Sequence, residues 1–348
     1  FHPITLIKKK LFFNEEIDMF EKKGNFQALL LFTLLIFLVL TGCSMKKAAD
    51  EGSGTSYKVT DAFGHEVTIP HKPMRILGTS SSVNTMLLSV AEPSRLAACF
   101  VADKDSGISY IAEETKDIPL VIPLNGLSME ILTRANPDLI VASSYMKPAE
   151  LDMWRNLGYP VIMIDGPKSI SQVKQDVEII AAATGERERG KKVIAEMERQ
   201  LKEIDDTLGK RTDPPPTAFL VSQMTRYGGP GSMYHELLTR ARVKNAIGEM
   251  GVSNGQMVAP ELIVKADPDF FIVSSDRKSD ETGAGNFRDA FLTNPAVQAM
   301  RASQNIKYLD DRYIYSASQN CVYAIKALAN AAYGDIFDMK DEKQIKGF

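Results

Sequence analysis

Residues 130–144, EILTRANPDLIVASS, and residues 261–275, ELIVKADPDFFIVSS, follow one pattern. Each stretch begins with Glu, has a basic residue one helical turn later, carries Pro-Asp at its centre and ends in Ser-Ser. Apolar residues occupy matching positions in the second half. Such a pair indicates a protein built from two lobes of similar design.

The two halves of this repeat predict different structures. The first half is typical of the end of a helix, with a basic residue where the helix dipole is negative and a proline that disfavours helix in the residue before it. The second half is an unbroken apolar run, which predicts a strand buried on both faces of a parallel sheet. Ligands of open α/β sheets bind beyond the carboxyl ends of the strands. We therefore expect Ser143, Ser144, Ser274 and Ser275 at the rim of a ligand site, although Ser-Ser also suits the start of an ordinary loop.

The first part of the chain predicts export. Lys22 and Lys23 precede an apolar run at 28–40, and the run ends in Leu40-Thr41-Gly42-Cys43. This arrangement is typical of a secretory signal and is too short for a comfortable membrane span. Leu-Thr-Gly-Cys resembles the lipobox of bacterial lipoproteins, in which the cysteine is lipidated and becomes the mature N-terminus. An ordinary signal peptide with an incidental cysteine is the alternative.

The segments around this signal complete the predicted N-terminal organisation. We interpret residues 1–18 as a non-native upstream extension, with Met19 as the start and 19–42 as the signal peptide. Residues 43–56 are small and polar, as expected of a flexible tether.

Composition restricts the class of protein. The chain is 44% hydrophobic with a formal net charge of −3, which suits two compact α/β lobes. It has no basic stripe of the kind that binds nucleic acid. Besides Cys43 there are Cys99 and Cys321. Because these lie in the first lobe and the last helix, we predict two separate buried thiols.

Periodicity predicts an α/β fold of two lobes with mostly parallel sheets, joined by a single long rigid helix. The predicted domains are an N-terminal lobe at 57–168, a helical segment at 169–210 and a C-terminal lobe at 211–335, followed by a tail at 336–348. The N-terminal lobe opens with a hairpin at 57–70. Its strands are predicted at 74–79, 95–100, 139–143 and 161–165.

The rest of the chain is predicted in the same way. Helices are expected at 171–184 and 186–208, and the second has an apolar stripe and a length of about 35 Å. The prolines of RTDPPP at 211–216 end it. Strands are expected at 218–222, 270–274, 306–309 and 313–316, before a closing helix at 319–333.

The order of motifs across residues 57–335 resembles the iron-chelate and cobalamin (Fe/B12, type III) class of ABC-importer substrate-binding proteins. After the lipobox at 40–43, the motifs are VTDAFGHEVTIP at 59–70, RIL at 75–77, MEILTRANPDLIVA at 129–142, GYPVIMID at 158–165, GGPGSMYHELL at 228–238 with Asn245, and PELIVKADPD at 260–269. The resemblance implies a non-enzymatic protein that holds its ligand between two lobes joined by a rigid helix, with little hinge closure. The chain departs from the family pattern after Leu77, where Gly78-Thr79-Ser80-Ser81-Ser82-Val83-Asn84-Thr85 replaces the usual Ser-Pro-x-x-Thr-Glu.

The resemblance also gives the glutamates of the repeat a role. It implies that Glu130 and Glu261 dock against arginines on the two halves of a membrane permease, which works with its ATPase. Exposed charge pairs add little to fold stability, but they set how fast two proteins associate and in which orientation they bind. Two ordinary solvated helix residues are the alternative.

The candidate ligand is an iron-siderophore complex, haem or cobalamin, carried as cargo and not as an intrinsic cofactor. Arginine suits carboxylate or catecholate groups because its fork donates two parallel hydrogen bonds. Tyr145 and Tyr227 are candidate axial ligands of haem iron, whereas Trp154 is expected in the core. The predicted ligand-binding residues are Ser80, Ser81, Ser144, Tyr145, Arg226, Tyr227, Ser275 and Arg277.

Two other functions are alternatives. A divalent metal-ion binding protein needs histidines and carboxylates that converge on one ion, but His65 and His71 lie near the N-terminal hairpin and His235 is isolated. A chelatase-like enzyme of related bilobal fold needs a nucleophile or metal base, and no motif nominates one. The preferred interpretation is a monomeric extracytoplasmic binding protein, lipid-anchored to a bacterial membrane through Cys43.

Overall fold

A computed structural model of the chain describes residues 55–123, 126–222, 224, 226–258, 260–275 and 284–348. The predictions for the signal peptide, for Cys43 and for Arg277 lie outside the described residues. Within these ranges, no helix is both long enough and apolar enough to span a membrane.

The N-terminal lobe is built on a parallel sheet with strand order β3-β6-β7. An antiparallel hairpin precedes it, as predicted, and its turn is closed by Asp61, whose Oδ1 accepts the backbone N–H groups of Phe63 and His65 at 2.9 Å. A two-stranded parallel sheet, β4-β5, lies beside it. The strands are Tyr57–Thr60 (β1), Glu66–Ile69 (β2), Ile76–Gly78 (β3), Cys99–Phe100 (β4), Val121–Ile122 (β5), Leu139–Ser143 (β6) and Val161–Ile164 (β7).

The C-terminal lobe has a second parallel sheet, with strand order β11-β10-β8-β9. Its strands are Thr217–Val221 (β8), Lys244–Asn245 (β9), Phe270–Ser274 (β10) and Ile306–Leu309 (β11). The predicted strand at 313–316 is wrong, because Asp311–Ile314 is a short helix that begins after Asp310. A short apolar run does not distinguish strand from helix by periodicity, and the two aspartates before it favour a helix start.

Helices cover the sheets. Those before the bridging helix are Ser81–Val90 (α1), Ala112–Thr115 (α2), Met129–Ala135 (α3), Pro148–Asn156 (α4) and Ile170–Ala183 (α5). The bridging helix is Arg187–Leu208 (α6), and the later helices are Met233–Arg240 (α7), Ala246–Glu249 (α8), Pro260–Ala266 (α9), Ala284–Leu292 (α10), Pro295–Gln298 (α11), Asp311–Ile314 (α12) and Cys321–Tyr333 (α13). Short 3₁₀ turns occur at Pro93–Arg95, Val101–Lys104 and Arg301–Gln304.

Both copies of the repeat form the predicted helix followed by a strand. The first copy is α3 and β6, and the second is α9 and β10. The residues of β6 are all buried, as are the first four of β10, because helices cover both faces of each sheet. The helix-then-strand prediction for the repeat is confirmed.

The bridging helix α6 joins the two lobes through one continuous hydrophobic core. Its predicted apolar stripe is buried, and the same core cluster contains Val83 of α1 and Leu328 of α13. A change in the angle between the lobes must therefore disturb close-packed side chains. The stripe consists of Val193, Met197, Leu201, Ile204 and Leu208.

Three further predictions about side chains are confirmed. Cys99 and Cys321 are both buried and unpaired, and Trp154 is 2% exposed in the core. Burial raises the pKa of the Cys321 thiol to about 12, so this thiol stays protonated and unreactive at neutral pH.

Candidate ligand-binding site

A cleft of about 720 Å³ combines side chains of both lobes. This size lies within the range of small-molecule sites. We call it the main compartment. It is lined by Ser82, Tyr145, Pro167, Lys168, Met224, Arg226, Tyr227, Gly231, Ser232, Met233, Asn254, Gly255, Tyr315 and Ala317.

A smaller cavity of about 280 Å³ adjoins the main compartment. The two share Ser82, Tyr315 and Ala317 as wall residues, and we call the second one the minor compartment. Its walls are rich in hydroxyl groups and also include Tyr110, Asp311 and Arg312. The cleft therefore has two adjacent parts with different chemistry.

The main compartment carries two cationic side chains. Lys168 enters from the N-terminal lobe and Arg226 from the C-terminal lobe. Within the described part of the chain, no Asp or Glu lines this compartment, and neither cation has a carboxylate at ion-pair distance. Arg226 Nη1 donates to the Gly255 carbonyl oxygen at 3.2 Å, which directs its guanidinium without neutralising the charge. The compartment is suited to an anionic ligand.

Tyr145 is 75% exposed and lies in the wall of the main compartment. Its hydroxyl makes no hydrogen bond to any described residue. The ring packs against the backbone of Gly166, where an added Cβ would lie 2.6 Å from Tyr145 Cε2. Glycine at 166, with a φ of 33°, thus leaves room for the ring, and the Tyr145 hydroxyl is available to a ligand.

Tyr227 differs from Tyr145 in that its hydroxyl is already used. The hydroxyl donates to the Ile314 carbonyl oxygen at 3.3 Å, and the ring lies 5.5 Å from that of Tyr315. Burial, and then the neighbouring Tyr315, raise the pKa of Tyr227, so the phenol stays neutral. Tyr315 in turn shares a 2.8 Å hydrogen bond with Ser222 Oγ. These tyrosines form an aromatic wall on the C-terminal side of the cleft.

The predicted serines occupy different environments. Ser81 lines the minor compartment, whereas Ser80 Oγ caps α1 by accepting the Val83 N–H at 3.3 Å. Ser275 Oγ donates to Asp310 Oδ1 at 2.6 Å. Ser80, Ser144 and Ser275 are not among the residues that line either compartment. The cleft thus brings together Ser81, Tyr145, Arg226 and Tyr227 of the predicted set.

Sequence reasoning missed several wall residues. Lys168 comes shortly after β7, so the rule about strand ends that nominated the serines also applied to it. Tyr315 was missed because 313–316 was assigned to a strand. Arg312 and Tyr110 reach the minor compartment from segments without a motif, and no local signal indicated them.

Glu130 and Glu261 lie in the first turns of α3 and α9. Both are exposed, and neither lines the cleft. Glu130 approaches Arg134 of the same helix at 3.9 Å, a weak solvent-exposed pair. Their carboxylates are therefore accessible to a partner.

The histidines do not form a metal site with other ligands in the described ranges. His235 Nδ1 lies 3.1 Å from Asn245 Nδ2, and His65 Nδ1 lies 3.2 Å from Asp61 Oδ2. Across the described ranges, no three His, Cys, Asp or Glu side chains are grouped so as to hold a metal ion.

Residues 78–313 match the family model Peripla_BP_2, periplasmic binding protein. The chain belongs to this family, and it is a type III, Fe/B12-type substrate-binding protein of an ABC importer. Members of the family are binding proteins. Two lobes with mostly parallel sheets, as predicted from the sequence, are the fold of this class.

Three relatives illustrate the similarity. The uncharacterized ABC transporter substrate-binding lipoprotein YvrC of Bacillus subtilis (strain 168) is 22% identical over 327 residues, which cover 87% of this chain and 96% of YvrC. The probable siderophore-binding lipoprotein YfiY of the same organism is 21% identical over 183 residues, covering 52% of this chain and 55% of YfiY. The periplasmic heme-binding protein RhuT from Roseiflexus sp. RS-1, in apo form, superimposes with a TM-score of 0.63 at 22% identity, covering 74% of this chain and 98% of RhuT.

Proposed function

We propose that this protein captures an anionic iron chelate, a ferric siderophore or haem, in the cleft between its lobes and delivers it to an ABC permease without chemical change. The observation that carries the proposal is the pair Lys168 and Arg226, two cations in the main compartment that have no carboxylate partner among the described residues. Unpaired cations in a partly enclosed cleft attract an anion and repel a cation. The names of YfiY and RhuT, which refer to a siderophore and to heme, support the ligand class.

Tyr145 gives the proposal a second chemical element. Its hydroxyl has no hydrogen-bond partner among the described residues, and Tyr145 lines the compartment that carries the two cations. If haem is the cargo, Tyr145 supplies the axial oxygen, a mode of ligation known in haem proteins, and the cations pair with the propionates. If a siderophore is the cargo, the same ring packs against the chelate.

Delivery is proposed to depend on Glu130 and Glu261. Each occupies the first turn of the equivalent helix in its own lobe, so the pair presents two matched anionic points to a partner. We propose that both dock on arginines of the permease, that the lipid on Cys43 anchors a monomer to the extracytoplasmic side of the membrane, and that the cleft performs no catalysis.

A titration followed by absorbance and tryptophan fluorescence tests the ligand class. Haem, cobalamin and ferric siderophores of the catecholate and hydroxamate types are added to wild-type protein, to Arg226→Ala and to the surface control Arg240→Ala. We expect binding of one anionic chelate, and a loss of about 1.5 to 3 kcal/mol in Arg226→Ala, the range for a hydrogen bond to a charged group. Arg240→Ala should bind normally because Arg240 pairs with Asp205 on the surface.

Two results would contradict the proposal. If none of the chelates changes the absorbance or the fluorescence, the proposed class of ligand is wrong. An unchanged dissociation constant in Arg226→Ala, together with binding of cobalamin, would replace the anionic chelate with a neutral corrinoid.

A further inference from the structure

The last residues of the chain pack against both lobes. After α13 the backbone turns at Gly334, which has a φ of 83°, and residues 335–348 run without regular secondary structure. Ile345 is 4% exposed. Its N–H donates to Asn320 Oδ1 at 3.0 Å, and its carbonyl oxygen accepts from Gln319 Nε2 at 3.4 Å. The sequence suggested only a tail here, but residues 342–348, which we call the strap, are bound in place.

The strap connects the N-terminal lobe to the C-terminal lobe through Glu342. Glu342 Oε2 accepts the hydroxyl of Tyr110 at 3.1 Å and the hydroxyl of Tyr313 at 2.8 Å. Tyr110 belongs to the N-terminal lobe and Tyr313 to α12 of the C-terminal lobe. One carboxylate oxygen therefore ties the two lobes together.

Further along, the strap is held on α1 of the N-terminal lobe. Gln344 Nε2 donates to the Thr85 carbonyl oxygen at 3.0 Å, and this oxygen also accepts Gln319 Nε2 from the C-terminal lobe at 3.1 Å. The Gly347 N–H donates to the Ser89 carbonyl oxygen at 2.9 Å. The close approach at 347 requires glycine, since an added Cβ would lie 2.3 Å from the Arg189 carbonyl oxygen.

The two tyrosines bound by Glu342 also hold a charged wall of the cleft. The guanidinium of Arg312 lies 5.2 Å from the ring centre of Tyr110 and 5.0 Å from that of Tyr313. Arg312 Nη2 donates to the Tyr313 hydroxyl at 3.1 Å. Tyr110 and Arg312 both line the minor compartment. Aromatic rings attract a cation over their faces, so fixing the rings helps to fix the guanidinium, which also pairs with Asp310 Oδ2 at 3.4 Å.

We propose that residues 342–348 are an inter-lobe strap and that Glu342 is a positioning residue, which sets the spacing of the lobes and holds Arg312 in the minor compartment through Tyr110 and Tyr313. The role in ligand binding rests on the proposed function, whereas the role in lobe spacing does not. Burial raises the pKa of Glu342, and its Oε1 is buried without a hydrogen-bond partner among the described residues. The carboxyl group thus depends on the two tyrosines for its hydrogen bonds, and losing them leaves a buried polar group unsatisfied.

The test measures the distance between the lobes in ligand-free protein. Spin labels are placed at Lys147→Cys and Lys265→Cys, which are exposed on the N-terminal and C-terminal lobes. Cys99 and Cys321 are buried and Cys43 is replaced by serine, so that no native thiol competes for label. Distance distributions are compared for Glu342→Ala, Glu342→Gln and the control Lys340→Ala. Lys340 is exposed in the same segment.

We expect Glu342→Ala to broaden or shift the distribution, and Lys340→Ala to leave it unchanged. Glu342→Gln should restore the wild-type distribution, because an amide oxygen still accepts both tyrosine hydroxyls. If Glu342 did not set the spacing of the lobes, the Gln and Ala variants would give the same distance distribution. If Glu342→Ala fails to fold, Tyr110→Phe removes only the N-terminal hydrogen bond and should give the same broadening. A wild-type distribution in Glu342→Ala, or in Tyr110→Phe where that variant replaces it, would overturn the proposal.

A second measurement separates this proposal from the ligand assignment. For whichever chelate the wild-type protein binds, Glu342→Ala should release it about tenfold faster, the factor that corresponds to one net hydrogen bond. If no chelate binds to wild type, the proposed function fails while the distance measurement still decides on the strap. If a chelate binds and its release is unchanged in Glu342→Ala, the positioning of Arg312 is refuted.

Discussion

Asn136 and Asp267 adopt the same left-handed backbone conformation, with a φ of 41° at both positions. Each follows the helix of its repeat and precedes the proline. The next residues also correspond: Asp138 accepts the backbone N–H groups of Met74 and Arg75, and Asp269 accepts the N–H of Thr217. In both lobes the helix of the repeat therefore ends in the same kind of turn. The aspartate after the proline then binds the backbone at the start of the neighbouring strand or just before it.

The left-handed backbone at Asn136 and Asp267 predicts that alanine destabilises the protein at these positions and that glycine does not. Left-handed conformations cost an alanine roughly 1 kcal/mol, whereas glycine adopts them without strain. Asn136→Ala and Asp267→Ala should each lower the free energy of unfolding by about 1 kcal/mol, and the glycine variants should stay within a few tenths of wild type. Urea denaturation measures the difference. Equal stability of the alanine and glycine variants would show that the conformation is not what these positions require.

The glutamates predict a separation of binding from transport. Because Glu130 and Glu261 are exposed and lie outside the cleft, Glu130→Ala, Glu261→Ala and the double variant should bind ligand normally but reduce uptake in cells. The double variant should be affected most, since one remaining anchor does not fix orientation. Raised salt should weaken wild-type docking in a permease pull-down. Normal uptake in the double variant, or a parallel loss of affinity, would refute the assignment.

Asp176 predicts a dependence of stability on pH. Burial raises its pKa to about 7, above the value of about 3.9 for an unfolded chain. The folded state therefore binds this proton more tightly, and the resulting stability, present at pH 4, is lost as the pH rises through 7. On changing from pH 4 to pH 8, Asp176→Asn should lose less stability than wild type, by on the order of 2 to 4 kcal/mol. The exposed control Asp335→Asn should have the same free energy of unfolding as wild type at both pH values, measured by denaturation. An equal loss of stability between pH 4 and pH 8 in Asp176→Asn and wild type would contradict the prediction.

Gly166 predicts an indirect effect on the cleft. Gly166→Ala places a Cβ against the ring of Tyr145 and should displace it. If Tyr145 contacts the ligand, Gly166→Ala and Tyr145→Ala should weaken binding to a similar degree, and the double variant should add little more because the two residues act on one contact. The backbone φ at 166 adds strain, so thermal unfolding is measured beside each titration. Additive losses in the double variant would show that the two residues act independently.

Cys43 predicts the mode of anchoring. Cys43→Ser should abolish lipidation and either release the protein or leave an unprocessed precursor, because the lipid chains provide the lasting attachment. Metabolic labelling with a fatty acid, compared between wild type and variant, checks this. Label retained in Cys43→Ser would show that the lipobox assignment is wrong.

Local pattern in the sequence was sufficient for the elements whose structure depends on their own residues. The unbroken apolar runs at 139–143 and 270–274 predicted buried parallel strands, and the stripe of α6 predicted its buried face. These succeed because side-chain periodicity and burial are coupled within a single element. Tyr313 and its neighbours show the limit, since a run of four residues fits both a helix and a strand, and only the structure shows that a helix begins after Asp310.

Only the tertiary structure decided which side chains share the cleft. Lys168 and Arg226 are far apart in the sequence, and nothing near either one indicates that both charges line one compartment with no described carboxylate beside them. Likewise, Ser80 and Ser275 are identical in kind to Ser81, but only Ser81 lines the cleft, whereas Ser80 caps a helix and Ser275 binds Asp310. The strap shows the same dependence, because Glu342 acquires its role from two tyrosines on different lobes. The sequence by itself determined the repeat, most of the strands and the bridging helix. Residues distant along the chain determined which polar side chains line the cleft, because a hydrogen bond to a distant residue produces no periodic pattern in the sequence.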